Sequence, residues 1–109
     1  MKGRTDSIID GGNEFECWIC GRTGDLEVHH CIHGTANRSQ ADKYGLWVRL
    51  CPECHRGTNG VHGKYGHHRD MTLKCAAQRA FEKTHSREEF RAVFGKSYLE
   101  DGDDEDNVL

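Results

Sequence analysis

Two Cys-x-x-Cys pairs, Cys17/Cys20 and Cys51/Cys54, are separated by thirty residues, with a double histidine, His29-His30, between them and His55 directly behind the last cysteine. Two intervening residues aim both sulfurs of a pair at one point, and two such pairs supply the four thiolates of a tetrahedral zinc site. A four-cysteine site leaves no open coordination position, so the zinc expected there is structural. The competing use of the same residues is two disulfides or free thiols, and the compartment decides between them. The N-terminus, Met1-Lys2-Gly3-Arg4-Thr5-Asp6-Ser7, runs into only two consecutive aliphatics, Ile8-Ile9, which offers no apolar stretch for a signal peptide. No segment is long and apolar enough to span a membrane. The expectation is a reducing interior, where paired Cys-x-x-Cys motifs bind metal more often than they oxidise. Cys31 and Cys75 are left over and are expected to be small core residues.

The elements that must position these groups have little apolar material to work with. A chain of 109 residues, 35% apolar and 8% aromatic, has room for one domain with a small core, which is the size class that needs a staple. Net charge is −3, yet the last ten residues carry six acids and no base, so residues 1–99 carry +3. A mildly basic body with an acidic tail is compatible with a phosphate-bearing partner. Residues 1–14 are polar and glycine-containing and read as a flexible lead-in, with the fold starting near Phe15. Leu26–Ile32 alternates and carries β-branched residues, predicting a strand that sends His29 and His30 to opposite faces. His33–Gln40 reads as a loop, followed by a short helical turn through Ala41–Tyr44 that Gly45 ends. Leu46–Leu50 is a second strand that delivers Cys51, and Pro52 and Glu53 suit the first turn of a helix behind it.

Four glycines, Gly57, Gly60, Gly63 and Gly66, argue against a long helix there, and Asn59–His68 reads as irregular. A helix is predicted from Met71 to about Thr84, with Asp70 as N-cap and Leu73, Ala77, Ala80 and Phe81 as its apolar stripe. Ser86-Arg87-Glu88-Glu89 matches a capping box for a second helix, with Phe90, Val93 and Phe94 inside and Gly95 as the stop. The tail, residues 100–109, is too polar and charged to order itself. The expected fold class is α+β: a zinc-stapled core over 15–69, two strands with a long loop and then a helix, and a helical extension over 70–99.

Val28-His29-His30-Cys31-Ile32, the strand Leu46–Leu50 and Cys51-Pro52-Glu53-Cys54-His55 together resemble the His-Asn-His (HNH) nucleases of the ββα-metal superfamily in their zinc-bound four-cysteine form. The resemblance covers Cys17 to about His62, and the surrounding wording is similar to small nucleases encoded by bacteriophages. It implies a metal-dependent endonuclease acting on DNA, taken to be double-stranded, in the cytoplasm of a bacterial host. It also implies roles: His29 and His55 would hold one catalytic divalent ion, Mg²⁺ or Mn²⁺ with Zn²⁺ or Ni²⁺ as alternatives, and His30 would be the general base. An imidazole suits that task because its ordinary pKa lies near working pH. The third metal ligand is left between Asn59 and His62. The family's middle Asn falls at Leu46, so the loop must be pinned otherwise, and Asn37 is a candidate. Arg38, Lys43 and Arg56 are candidate phosphate contacts, as are Arg49, Lys64 and Arg69. His67, His68 and His85 read as surface histidines, His62 as more often one than not, and His33 has no assigned role. One set of site residues cuts one strand at a time, so a monomer or weak dimer that nicks is expected. The alternative function is a non-catalytic zinc-binding module for nucleic acid or protein, which would have no use for His29, His30 and His55.

Overall fold

A computed structural model describes residues 5–9 and 15–99 of the chain. Six elements follow in order: β1 (Glu27–His30), α1 (Thr35–Tyr44), β2 (Trp47–Leu50), α2 (Pro52–Arg56), α3 (His67–Phe81) and α4 (Arg87–Phe94). The fold is a small α+β arrangement in which one antiparallel hairpin, β1 against β2, is surrounded by helices. Glu27 pairs with Leu50 and His30 with Trp47, a register that buries Val48, Leu50 and His29. No helix among the described residues is long and apolar enough to cross a membrane.

The largest departure from expectation is α1. Residues 35–44 form a ten-residue helix where a loop with one late turn was predicted. Its sequence, Thr-Ala-Asn-Arg-Ser-Gln-Ala-Asp-Lys-Tyr, buries only Ala41 fully, so no apolar stripe announces it. The punctuation was nevertheless present: Gly34 precedes the helix, and Gly45 closes it in the left-handed conformation at φ 74°. A side chain at Gly45 would also collide with the carbonyl oxygen of Asp6, 2.3 Å from where its Cβ would lie. Residues 5–9, part of the expected lead-in, are docked at this junction. Thr5 donates its amide to the Asp42 carbonyl (2.8 Å), Ile8 donates to the Gly45 carbonyl (2.9 Å), and Trp47 Nε1 donates to the Thr5 carbonyl (2.7 Å).

The C-terminal scaffold follows its pattern. Leu73, Ala77, Ala80 and Phe81 of α3 are buried as the stripe required, against Phe90 and Phe94 of α4. Phe81 meets Phe90 edge-on with ring centroids 5.3 Å apart, and Tyr44 of α1 meets Phe81 at 5.2 Å, which ties both helices to the hairpin side. The capping box at Ser86 and Glu89 is formed on both sides, and Gly95 ends α4 at φ 93°. The start of α3 is a correction: the helix begins at His67 after Gly66, so Asp70 is a buried residue of the first turn and not the N-cap. The acidic tail lies outside the described residues.

Candidate functional site

Cys17, Cys20, Cys51 and Cys54 converge, with all four sulfurs within 4.8 Å of one another. Cys20 Sγ and Cys51 Sγ are 3.7 Å apart, against the roughly 3.8 Å that two sulfurs at 2.3 Å from one tetrahedral zinc would span. All four are free cysteines, and they form a group that could bind a metal such as zinc. Burial opposes ionisation of Cys17, but amide hydrogen bonds from Cys20, Cys51 and Ile19 prevail and hold its thiol at about 7. Burial, with hydrogen bonds to Cys51, Cys20 and Cys17, pushes the Cys54 thiol the other way, so in the metal-free cluster ionisation favours Cys17 over Cys54.

A second cluster lies beside it because α2 serves both: Cys54 reaches the sulfur group and His55, the next residue, reaches the other way. His29 of β1, His55 of α2 and His62 each offer a nitrogen within 4.8 Å of the others'. Their rings pack at centroid distances of 5.2 Å (His29–His55), 5.1 Å (His29–His62) and 4.9 Å (His55–His62). His29 is 1% exposed, and its Nε2 is buried without a hydrogen-bond partner. Leaving such an atom unpaired costs about 1–3 kcal/mol, a cost that a metal ion at this nitrogen would relieve. Burial, and then the neighbouring His55, His62 and His33, push the His29 pKa down to about 3, so its ring is neutral, the form that binds metal. Burial lowers His62 as well, with His55 and His33 adding to it.

Carboxylates orient the rest. Nδ1–H of His55 donates to Glu27 Oε1 at 2.7 Å, which leaves the Nε2 lone pair for a ligand. Arg56 grips the same carboxylate through Nε (3.0 Å) and Nη2 (2.5 Å), and these bonds, with that from His55, hold Glu27 at about 2. Nε2–H of His30 donates to Asp42 Oδ1 of α1 at 2.8 Å, so Nδ1 keeps the free lone pair that a base requires. Nε2–H of His33 donates to Asp70 Oδ1 at 2.9 Å, and Lys74 of α3 holds the other oxygen at 3.0 Å. Burial resists ionisation of Asp70, yet His33 and Lys74 together hold its carboxyl below the usual range.

His62 is delivered by the four glycines. Residues 57–66 fold back on α2 backbone against backbone, with Val61 donating to the Cys54 carbonyl (2.8 Å) and His62 to the His55 carbonyl (3.1 Å). A Cβ on Gly63 would lie 1.9 Å from the Gly57 carbonyl oxygen, and one on Gly66 would lie 1.6 Å from that of Gly60. Only glycine permits this approach.

These groups line an open cleft of about 320 Å³ formed by Val28, five imidazoles (His29, His30, His33, His55, His62) and Arg38. Of the two candidates for third ligand, His62 is in the cluster; Asn59 is exposed and does not line the cleft. His62, expected both as a possible third ligand and as a surface histidine, is exposed and stands in the cluster. Leu46, where the resemblance implied an Asn, is fully buried and pairs through its backbone with Ala41 and Cys31. Asn37 reaches only the nearby His33 carbonyl, at 3.3 Å, and the carboxylate that holds His30 is Asp42. Among the candidate phosphate contacts, Arg38 is at the cleft, Arg56 is engaged by Glu27, and Lys43 lies over the Tyr44 ring at the far end of α1. Arg49 lies over Trp47, Lys64 over Tyr65, and Arg69 is exposed on α3. His85 stacks on Phe81 (4.4 Å), while His67 and His68 are exposed at the start of α3. Sequence reasoning missed Glu27, His33, Asp42 and Asp70. The period-two position of Glu27 relative to His29 could have flagged it, and a helix at 35–44 would have put Asp42 within reach of the hairpin.

No protein family, curated protein or solved structure matches the chain.

Proposed function

We propose that this chain is a metal-dependent DNA endonuclease of the HNH kind, built on a ββα-metal core made of β1, β2 and α2. The observation that carries the proposal is the pairing, in one cleft, of a three-imidazole group with a fourth imidazole, His30, locked by a carboxylate. His29, His55 and His62 would hold a divalent ion, which when bound supplies a Lewis acid for the scissile phosphate and the departing 3′ oxygen. His30 takes a proton from the attacking water onto Nδ1 as the new P–O bond forms, and Asp42 stabilises the imidazolium that results. The bond from phosphorus to the 3′ oxygen breaks, and that oxygen gains a proton from solvent, leaving 5′-phosphate and 3′-hydroxyl ends. Glu27 fixes the tautomer of His55, and the cysteine cluster, loaded with zinc, fixes α2 and hence His55 itself. A purely structural zinc module has no use for an oriented base in an open cleft.

The test is cleavage of supercoiled plasmid by the native protein and by His30→Ala, with Mg²⁺, Mn²⁺, Zn²⁺ and Ni²⁺ compared. Loss of the base should lower the rate about 10²–10⁴-fold while metal content and DNA affinity stay near native values. Native protein that binds DNA and cuts with none of these ions would establish the non-catalytic alternative.

A further inference from the structure

We infer that Arg38 is a catalytic residue, which clamps the non-bridging oxygens of the scissile phosphodiester and stabilises the charge that builds on them. The inference rests on the nuclease function proposed above and adds the group that meets the substrate. Arg38 lies on α1 one turn before Asp42, and residues four apart share a helix face. The helix face that supplies the carboxylate for His30 therefore also carries a guanidinium, and Arg38 lines the same cleft as His30, His55 and His62.

Charge pairing separates Arg38 from the other cations near the cleft. Arg56 is held by both oxygens of Glu27, and Lys74 by Asp70. Arg38 is exposed and has no acidic partner among the described residues. The imidazoles around it are tied up as well: His30, His33 and His55 each give one N–H to a carboxylate, which leaves lone pairs, not donors, toward the cleft. His29 and His62, which also line the cleft, are turned to the metal on the reading above, so a phosphate entering this space meets in Arg38 the lining cation that brings hydrogen-bond donors. A guanidinium offers a planar fork matched to two phosphate oxygens. Attack by water adds negative charge to those oxygens, so the clamp strengthens toward the transition state.

The experiment compares native protein, Arg38→Ala and Arg38→Lys on two substrates: duplex DNA at saturating enzyme in single turnover, and thymidine 5′-(4-nitrophenyl phosphate), which contains only the scissile diester. Affinity for duplex is measured separately without added divalent metal, and zinc content reports folding. The expected result for Arg38→Ala is a fall of about 100-fold in single-turnover rate on both substrates, with duplex affinity changed less than about threefold. Arg38→Lys should recover part of the rate, because it returns the charge without the fork. Arg38→Ala that cuts the small diester at the native rate, and loses only duplex affinity, would make Arg38 an anchor for flanking phosphates and overturn the inference. Native protein inert on both substrates would overturn the nuclease proposal itself, a distinct outcome.

Discussion

Replacing Gly66 by alanine sets two effects against each other whose magnitudes can be compared. Gly66 sits at φ −95°, ψ 8°, a conformation that alanine adopts freely, so the unfolded-chain argument alone predicts a gain of about 0.4–1 kcal/mol. Packing opposes it. The new Cβ would lie 1.6 Å from the Gly60 carbonyl oxygen and 2.5 Å from its carbon, where 3.0 Å is the practical minimum, so one backbone must retreat by about 1.4 Å. Nothing flexible stands in the way to absorb the shift, which puts the cost at the upper end of the roughly 1–3 kcal/mol typical of overpacking. Net destabilisation of about 2 kcal/mol corresponds to a fall of about 10 °C in Tm for a domain this small. Because Val61 and His62 lie between the two colliding glycines, the displacement should also move His62 out of the histidine group and weaken binding of the metal proposed there by about 10–100-fold. The cysteine cluster should keep its zinc. Thermal melts followed by circular dichroism, with stoichiometry and affinity for a second metal by calorimetry, read both effects. Gly95→Ala serves as control: its Cβ meets open space but its φ is 93°, so it should cost stability and leave the second metal untouched. Gly66→Ala melting at or above the native temperature with native affinity for the second metal would refute the account of the glycine turn.

Loading the cysteine cluster with zinc and then stripping it with a strong chelator, or replacing Cys51 by serine, should abolish both the helical signal of α2 and binding of a metal at the proposed histidine site, since Cys54 and His55 are adjacent; unchanged affinity at the histidine site after zinc loss would count against the coupling. Glu27→Gln should lower affinity for the cleft metal about 10–100-fold without displacing zinc, because the amide no longer fixes His55, as competition with a metal indicator would show. In metal-free protein His29 is neutral when folded, with a pKa of about 3, and has its ordinary 6.5 when unfolded. The unfolded state then binds the extra proton, so stability falls as pH drops from 6.5 toward 3, and His29→Gln should flatten that part of a denaturation-versus-pH series. On supercoiled plasmid, open-circular product should accumulate before linear product, because one cleft faces one strand; linear product from the start would indicate a paired working unit.

The parts of the site that could be read from the chain are those fixed by spacing. Cys17, Cys20, Cys51 and Cys54 declare themselves, since a two-residue gap is a local geometric constraint that needs no tertiary knowledge. The stripe of α3 and the capping box of α4 were equally legible, because burial and capping follow helical period. Asp42, Asp70 and His33 were not. Each works through a partner 12 or 37 positions away, and neither α1 nor the first turn of α3 carries an apolar pattern strong enough to reveal the surface it presents. The sequence left His62 in competition with Asn59, for another cause. Four glycines at intervals of three suggest irregular chain, and only their close backbone packing shows that they hold His62 against His55.

The strap formed by residues 5–9 is linked to the proposed base in two steps: the Thr5 amide bonds the Asp42 backbone, and the Asp42 side chain bonds His30. Ser7 and Trp47 close the strap from the β2 side, through Ser7 Oγ donating to the Trp47 carbonyl at 2.5 Å. A pull on Thr5 would reach the same histidine through Asp42, by a route that bypasses the four cysteines.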